Sequence, residues 1–540
     1  MTGILWALTN DGNELVSLEE IVQSNVKVIA FGEDSKGELL VLDYAGGIYK
    51  LENNKVDVDT ARFPRTISAT GLFGDGFQRV PGVFDYKLAQ PQWQDGAFAD
   101  HLIGLPGEEN VMLQRNGTML YPEGTTLAKT LYIAESGKAG YTRLETQVMF
   151  LEKEQWNFYT YAWREDQTDA DLVPYEGGLR KIVVDDALAF AGKRQIEWRF
   201  HSRSECKTCH NSRATVLGFV LPQLNAYSGK PAEVHRGQIH GLLEEGVIEL
   251  VNPIGGKANV HSVEGLSKDL PGFHNGVSSD KEAIVKSYLA ANCSHCHRPS
   301  AGGNATIDLQ YQTSWENMKL INHRPTRGSF GIQDARIVSA GDPSGSVLLY
   351  RLSTGGLGHM PHLGAGTPDS MAIYLIKQWI EELETPEADA LVVDVDQAVI
   401  GSRGKQPVSA ALGTVLEAYA ITTQEKALAL IHKNVDGSEP PLELGLYRPF
   451  VDPAVLPQTL GANVDFESVL KLVGDASRGR QLFLNTQGIQ CKNCHQVGSV
   501  GKAVGPSLED IAKRLDRHAV LESIVQPSAR IDAKYAYYVI

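Results

Sequence analysis

The chain has 540 residues, 42% of them apolar, with 50 basic against 65 acidic side chains and a net charge of −15. That length suits about three or four domains of ~150 residues, and an acidic surface repels phosphate backbones, which argues against nucleic acid as a partner. No run of ~18 apolar residues occurs, so no transmembrane helix is expected, and neither heptads nor low-complexity tracts are visible.

The first eleven residues contain no basic n-region, no long apolar stretch and no small-residue cleavage site. We therefore expect the chain to be an internal piece of a longer protein. Residues 1–57 read as strands: 25–32, 38–44 and 47–51, with a turn at 34–37. Three short strands cannot bury their own faces, so they are expected to be part of something larger. Residues 58–200 are strand-rich again, at 111–115, 127–133, 142–151 and 156–163. Apolar and aromatic runs at 148–151 and 156–163 suggest a β-sandwich-like domain. Trp156 and Trp163 read first as core aromatics and second as a ligand face. Residues 201–274 mix helix and loop. Residues 275–386 begin and end with helices, 387–460 hold one helix at 407–433 and a Pro-rich connector, and 461–540 form a last small unit.

All six cysteines fall in C-x-x-C-H pentads: CKTCH at 206–210, CSHCH at 293–297 and CKNCH at 491–495. From this chain's Cys and His frequencies, one such pentad is expected by chance roughly 0.002 times. Two thiols three apart can add across two haem vinyl groups, and the next residue, His, then lies under the iron as its proximal ligand. Disulfides would not require a His after each pair. Structural zinc would want pairs converging, and three pairs is an odd number. A redox dithiol would want a βαβ setting that none of the three has. The expectation is three covalent haem c groups. They attach through Cys206 and Cys209, Cys293 and Cys296, and Cys491 and Cys494, with His210, His297 and His495 on iron.

The second pentad has the fullest setting. Ser279 and Asp280 offer an N-cap, and a helix runs from 282 into Cys293. A closing helix over 370–383, capped by Asp369, puts Ile373, Ile376, Trp379, Ile380 and Leu383 on one face. Between them, GHMPHLG at 358–364 offers Met360 as the sixth iron ligand, with His359 and His362 as a bis-His alternative. Met/His ligation fills both axial positions, which suits electron transfer. His295 is expected to face solvent, and His274 and His323 to lie on the surface.

In the last unit Asp475 caps a helix carrying Gly479 and Phe483, expected to form a close-packing face. A carbonyl at Pro506 is expected to orient His495 through its other ring nitrogen. No Met follows Met371, and His518 reads as a helix-surface residue. For the first pentad, His201, His235, His240, His261 and Met149 all remain open as sixth ligands, with His240 preferred for its apolar-periodic helix.

Three segments resemble known families. FGEDSKGELLVLDYAGGIYKL (31–51) resembles the last blade of soluble PQQ-dependent glucose/sorbosone dehydrogenase propellers. That resemblance implies a truncated propeller with PQQ only in a missing upstream part, and it places no catalytic residue here. Residues 60–386 resemble a bacterial family of unknown function that pairs W-x-F-x-S-R-x-E-C-x-x-C-H, here 198–210, with A-N-C-S-H-C-H, here 291–297. The 358–364 loop is similar to the R-M-P-P-L-G signature of bacterial cytochromes c, departing from it at His359 and His362. The block from 479 to 540 closely resembles the C-terminal haem-binding domain of large planctomycete-type proteins. In that family more sheet and a ligating Met-Pro follow, so the third haem would show an open distal side in this chain.

The expected fold is multidomain α+β: a partial propeller blade (1–57), a β-sandwich-like domain (58–200), a first haem segment (201–274) and mainly α-helical cytochrome c-like domains (275–386 and 461–540), with 387–460 as helix and linker. The expected function is electron transfer by a tri-haem c-type cytochrome, relaying electrons from a fused or partner sugar or alcohol dehydrogenase to a respiratory acceptor. A peroxidase-like haem enzyme, or a carbohydrate- or partner-binding module with accessory haems, stands as the alternative. Haem c attachment implies a periplasmic or extracytoplasmic setting and redox proteins as partners.

Overall fold

This computed structural model describes residues 4–10, 15–23, 26, 28–51, 63–211, 215–225, 238–251, 279–384, 408–435, 441–452, 464–485 and 491–525, apart from positions 45, 300, 302, 304, 327, 357, 422, 494, 503 and 504. His235, His261, His274, Cys494, residues 387–407, 436–440 and 453–460 and the strand expected at 535–540 lie outside the described residues. The chain is mixed α+β and divides into two compact units, 1–451 and 452–540.

The first unit opens with a hairpin, β1 (Ile4–Asn10) and β2 (Leu15–Gln23), and a three-stranded antiparallel sheet, β3 (Val28–Glu33), β4 (Leu39–Asp43) and β5 (Ile48–Lys50). A six-stranded antiparallel sheet follows, built from β6 (Val83–Tyr86), β7 (Phe98–Gly104), β10 (Thr126–Ile133), β11 (Thr142–Glu152), β12 (Gln155–Trp163) and β13 (Ala170–Leu172). Its spatial order is β13-β12-β11-β10-β7-β6. Strand alternation gives this sheet two chemically different faces. One packs Leu102, Ala128, Val148, Tyr161 and Trp163 against Ile67 and Leu72. The other carries Ile103 and Leu127 towards Phe219, Leu221, Ile239 and Leu242, and Leu131 and Leu144 towards a ribbon of β14 (Gly178–Asp185) and β15 (Lys193–Phe200). Trp163 is a fully buried core residue.

The sequence boundary at residue 200 cuts through this core. β16 (Ile248–Val251) pairs in parallel with β8 (Val111–Gln114), which also pairs with β9 (Met119–Leu120). Three short helices, α1 (Arg203–Cys209), α2 (Leu221–Leu224) and α3 (Gln238–Glu244), thus lie on the second face of the large sheet or near it.

Next come α4 (Lys281–Cys293), a long irregular stretch, α5 (Val347–Ser353) and α6 (Ser370–Glu382). Asp280 and Asp369 cap α4 and α6 by accepting from Ala283 N (3.0 Å) and Ala372 N (3.1 Å), caps worth about 1 kcal/mol each. Ile373, Ile376, Trp379 and Ile380 form the buried face of α6, while Leu383 is its partly buried C-cap. The single helix expected at 407–433 is two, α7 (Val408–Ala420) and α8 (Gln424–Asn434). α8 starts after Thr423, which is extended, as β-branched residues favour. α9 (Pro441–Tyr447) ends the unit's helices.

The second unit holds α10 (Phe466–Leu470), α11 (Ala476–Asn485), a small hairpin of β17 (Gln496–Val497) and β18 (Val500–Gly501), α12 (Ile511–Arg514) and α13 (Arg517–Val525). A Cβ at Gly479 would meet nothing within 4 Å, so the close-packing face expected there is not formed among the described residues. No helix among the described residues is long and apolar enough to cross a membrane.

Candidate haem-attachment sites

The first pentad starts on a firmly capped turn. Ser202 Oγ accepts from Glu205 N (3.1 Å), and the Glu205 carboxylate accepts from Ser202 N (3.0 Å), a reciprocal capping box. α1 then carries Cys206 and Cys209 on one turn, and His210 follows as its C-cap. His210 Nδ1 donates to the Thr215 carbonyl at 2.7 Å, which leaves Nε2 as the bare nitrogen. Phe158 of β12 tilts against the imidazole, centroids 5.3 Å apart. Burial holds His210 down to about 4, so the ring is neutral at pH 7, the form that can ligate iron. Burial also pushes the Cys206 and Cys293 thiols up to about 12.

The second pentad is delivered by α4. Cys296 N and His297 N both donate to the Cys293 carbonyl, at 3.1 and 2.9 Å, so the helix tightens into a turn that presents the histidine. The loop beyond lies directly on that turn. A Cβ at Gly303 would stand 2.6 Å from the Cys296 carbonyl oxygen and 3.0 Å from His297 Nδ1, so only glycine fits.

The fold brings these two pentads together. Cys209 hydrogen-bonds to Cys296, and this contact pulls the Cys296 thiol below its ordinary range. Cys296 Sγ also lies 3.8 Å from the Thr208 carbonyl, and Asn211 Nδ2 donates to the His295 carbonyl at 2.9 Å. His295 therefore corrects the sequence expectation: it is 4% exposed, packed between the two pentads instead of facing solvent. Tyr44, just after β4, is close enough to feel both Cys296 and Cys209, and desolvation raises its hydroxyl.

Around the second pentad several buried polar atoms have no hydrogen-bond partner: His297 Nδ1, His359 Nε2, Arg351 Nε and Ser353 Oγ. Such atoms cost roughly 1–3 kcal/mol each when left unmade. His359 Nδ1 donates to the Thr354 carbonyl (2.7 Å), and Met360 N donates to the Arg351 carbonyl (3.0 Å), so both candidate ligands sit on an anchored loop. Gly358, at φ +89°, lets that loop press on Phe330, over which Arg351 lies at 5.0 Å. His362 is exposed, as is His323. A haem fits this donor set: two thiols on one turn, a histidine behind them, an anchored Met and His, and a half-buried guanidinium able to meet a propionate.

The third pentad repeats the proximal pattern. His495 N donates to the Cys491 carbonyl (2.8 Å), and His495 Nδ1 donates to the Pro506 carbonyl (2.8 Å), the contact expected from the sequence. His518 is exposed on α13 and tilts on Phe466.

His240, the preferred sixth ligand for the first haem, is turned to Glu244 at 3.1 Å and is 35% exposed. Met149 is better placed, directly across from Phe158 on the face that holds His210. The sequence reading missed His101. It lies in β7 on that same face, 7% exposed, with Nε2 unpartnered, and burial holds it down to about 3. Only the pairing register could have revealed it.

A pH effect follows for the haem-free chain. His210 titrates near 4 folded and near 6.5 unfolded, so the unfolded state binds more protons between those values. Stability is expected to fall by about 3 kcal/mol as pH drops from 6.5 to 4. Denaturant titrations at pH 7 and 4.5 should show the loss, and His210→Gln should shrink it. Equal losses in both proteins would refute this assignment.

No protein-family model, curated protein or solved structure matches the chain.

Proposed function

We propose that the chain is a tri-haem c-type cytochrome that transfers electrons, with haem held by Cys206, Cys209 and His210, by Cys293, Cys296 and His297, and by Cys491, Cys494 and His495. The observation that carries this reading is the shared setting of the pentad histidines, with His210 Nδ1 and His495 Nδ1 donating to carbonyls five and eleven residues on and leaving Nε2 bare; the first two pentads also meet at Cys209 and Cys296. Each of these cysteines would bond one edge of its porphyrin, so their contact holds two haem edges side by side. A haem supplies a one-electron Fe(III)/Fe(II) couple. The chain's own part is to fix the rings through His210, His297 and His495, to shield them with Phe158 and the α4–α6 core, and to set their charge environment. The N-terminal three-stranded sheet as a propeller blade, helical cytochrome c-like domains around pentads two and three, an extracytoplasmic location and a sugar or alcohol dehydrogenase as donor belong to the same proposal. They rest on the motifs at 31–51, 198–210, 291–297 and 479–540.

Met360 is proposed as the sixth ligand of the second haem. Met360→Ala should abolish the sulfur-to-iron charge-transfer band of the oxidised protein and lower that haem's midpoint potential. His359→Ala should leave the band in place. If His359→Ala alone changes the axial signature, the haem is bis-His.

A further inference from the structure

The turn that leads into β7 touches both walls of the second haem site. In Gln94-Asp95-Gly96-Ala97, Ala97 N donates to the Gln94 carbonyl at 2.9 Å, and both central residues have positive φ, +54° at Asp95 and +86° at Gly96. That is the pattern of a type I′ turn, which Asp-Gly suits. Glycine would adopt the left-handed conformation at position 95 with less strain than Asp. The facing loop shows what the carboxylate does there.

Asp95 accepts from three donors just beyond Met360 and His359. Gly366 N lies 2.8 and 3.1 Å from its two oxygens, and Thr367 N and Thr367 Oγ1 each lie 2.7 Å from Oδ1. Hydrogen bonds to an ionised acceptor are among the stronger ones a protein makes. Trp93, two residues earlier, reaches both ways. Its Nε1 donates to the Thr367 carbonyl at 2.7 Å, and its backbone N donates to Asn292 Oδ1 at 2.8 Å. Asn292 immediately precedes Cys293, is 7% exposed, and is tied back to α4 by its Nδ2, which donates to the Tyr288 carbonyl at 3.0 Å.

One short segment beside the large sheet thus grips both the helix that delivers the second pentad and the loop that carries the candidate distal ligands. The two contacts lie 199 and 274 residues from Trp93 in sequence, so the turn ties together stretches that the chain leaves far apart. The loop is fixed on its near side by the Arg351 and Thr354 carbonyls. Asp95 and Trp93 fix its far side.

We propose that Asp95 and Trp93 are positioning residues for the second haem, holding the 358–367 loop closed over the iron so that its axial ligand stays bound. The inference rests on the haem reading. It is the same for either ligand, because Met360 and His359 share the loop. It gives the β-rich part of the chain a role in the redox site: partners outside the iron's own ligands set how firmly those ligands are held.

Imidazole takes the distal position only after the loop ligand leaves, so its apparent affinity measures how readily the loop opens. Wild type, Asp95→Gly and Asp95→Asn are matured with haem and titrated with imidazole. The binding phase that Cys293→Ser/Cys296→Ser lacks belongs to the second haem. Asp95→Gly removes the acceptors and relieves the turn, so turn strain cannot account for an effect. The second haem is expected to bind imidazole at least about tenfold more tightly in Asp95→Gly, with Asp95→Asn, which keeps one acceptor oxygen, in between. Equal affinity in all three overturns the proposal. Should Asp95→Gly not take up its second haem, Asp95→Asn decides alone, and an unchanged affinity there rejects it.

Amide exchange on the same samples keeps the two readings apart. Gly366 and Thr367 should exchange at least about tenfold faster in Asp95→Gly, while β10 and β11 keep their wild-type rates. A preparation that carries no haem refutes the haem reading. Exchange then decides whether Asp95 holds the loop, and unchanged rates at Gly366 and Thr367 reject it.

Discussion

Replacing Cys293 and Cys296 together by serine is expected to reduce the haem count from three to two, and to disturb a haem that the substitutions do not touch. The first effect follows from the chemistry of attachment, since serine forms no thioether. The second follows from the fold. Cys296 lies beside Cys209 and against the Thr208 carbonyl, while the neighbouring His295 carbonyl is held by Asn211. Emptying the second pentad removes the apolar wall beside the first haem and admits water to it. Water raises the local dielectric and favours the ferric state with its extra charge, so the first haem's midpoint should fall. Redox titration of the two-haem variant, with Cys491→Ser/Cys494→Ser as a control, measures this. An unchanged first midpoint would mean that the two pentads do not communicate in the loaded protein.

The second large effect is expected at Gly501. This residue sits at φ +100°, and an added Cβ would stand 2.1 Å from the His495 carbonyl oxygen. The atoms it would meet, from His495 and Lys492, are all backbone, so no side chain can move aside. Alanine there should cost more than about 3 kcal/mol, combining left-handed strain with overpacking. The hairpin it would break lies between His495 and the Pro506 carbonyl that holds the ring at 2.8 Å. The third haem should be lost and the other two retained. Gly479→Ala makes the opposite case, since its Cβ would enter open space on α11. Alanine there should stabilise the unit by up to about 1 kcal/mol. Haem counts and melting curves on both variants check the contrast, and a fully loaded Gly501→Ala protein would refute it.

These expectations show which parts of the site were legible in the sequence. The three Cys-x-x-Cys-His turns were, because each is a spacing within five residues that no folding partner can alter. The helix entering Cys293 and the Asp369 cap were legible for the same reason: both are set by neighbours within four residues. The Pro506–His495 contact spans eleven residues and was still readable because it belongs to the same compact loop. What failed was long-range. His295 looks solvent-facing when its own turn is considered alone, and it is buried because a segment 84 residues away packs on it. His101 and Lys129 alternate with apolar neighbours in ordinary strands, and nothing in either strand announces that they will stand side by side. His240 sits in a periodic helix, yet the periodicity of that helix serves Ile239 and Leu242, which leaves the imidazole to Glu244. The break between α7 and α8 comes at an extended Thr423 in an otherwise helical run, a preference too weak to read without the tertiary contacts.

The most direct measurement of the central claim is a haem count on the chain expressed with a cytochrome c maturation system. A pyridine haemochrome spectrum gives the type and number of haems, and the intact mass gives their covalent attachment. The account predicts c-type spectra and three haems per chain, all surviving denaturation. A chain of unmodified mass, with its cysteines free, disulfide-bonded or holding zinc, would contradict it.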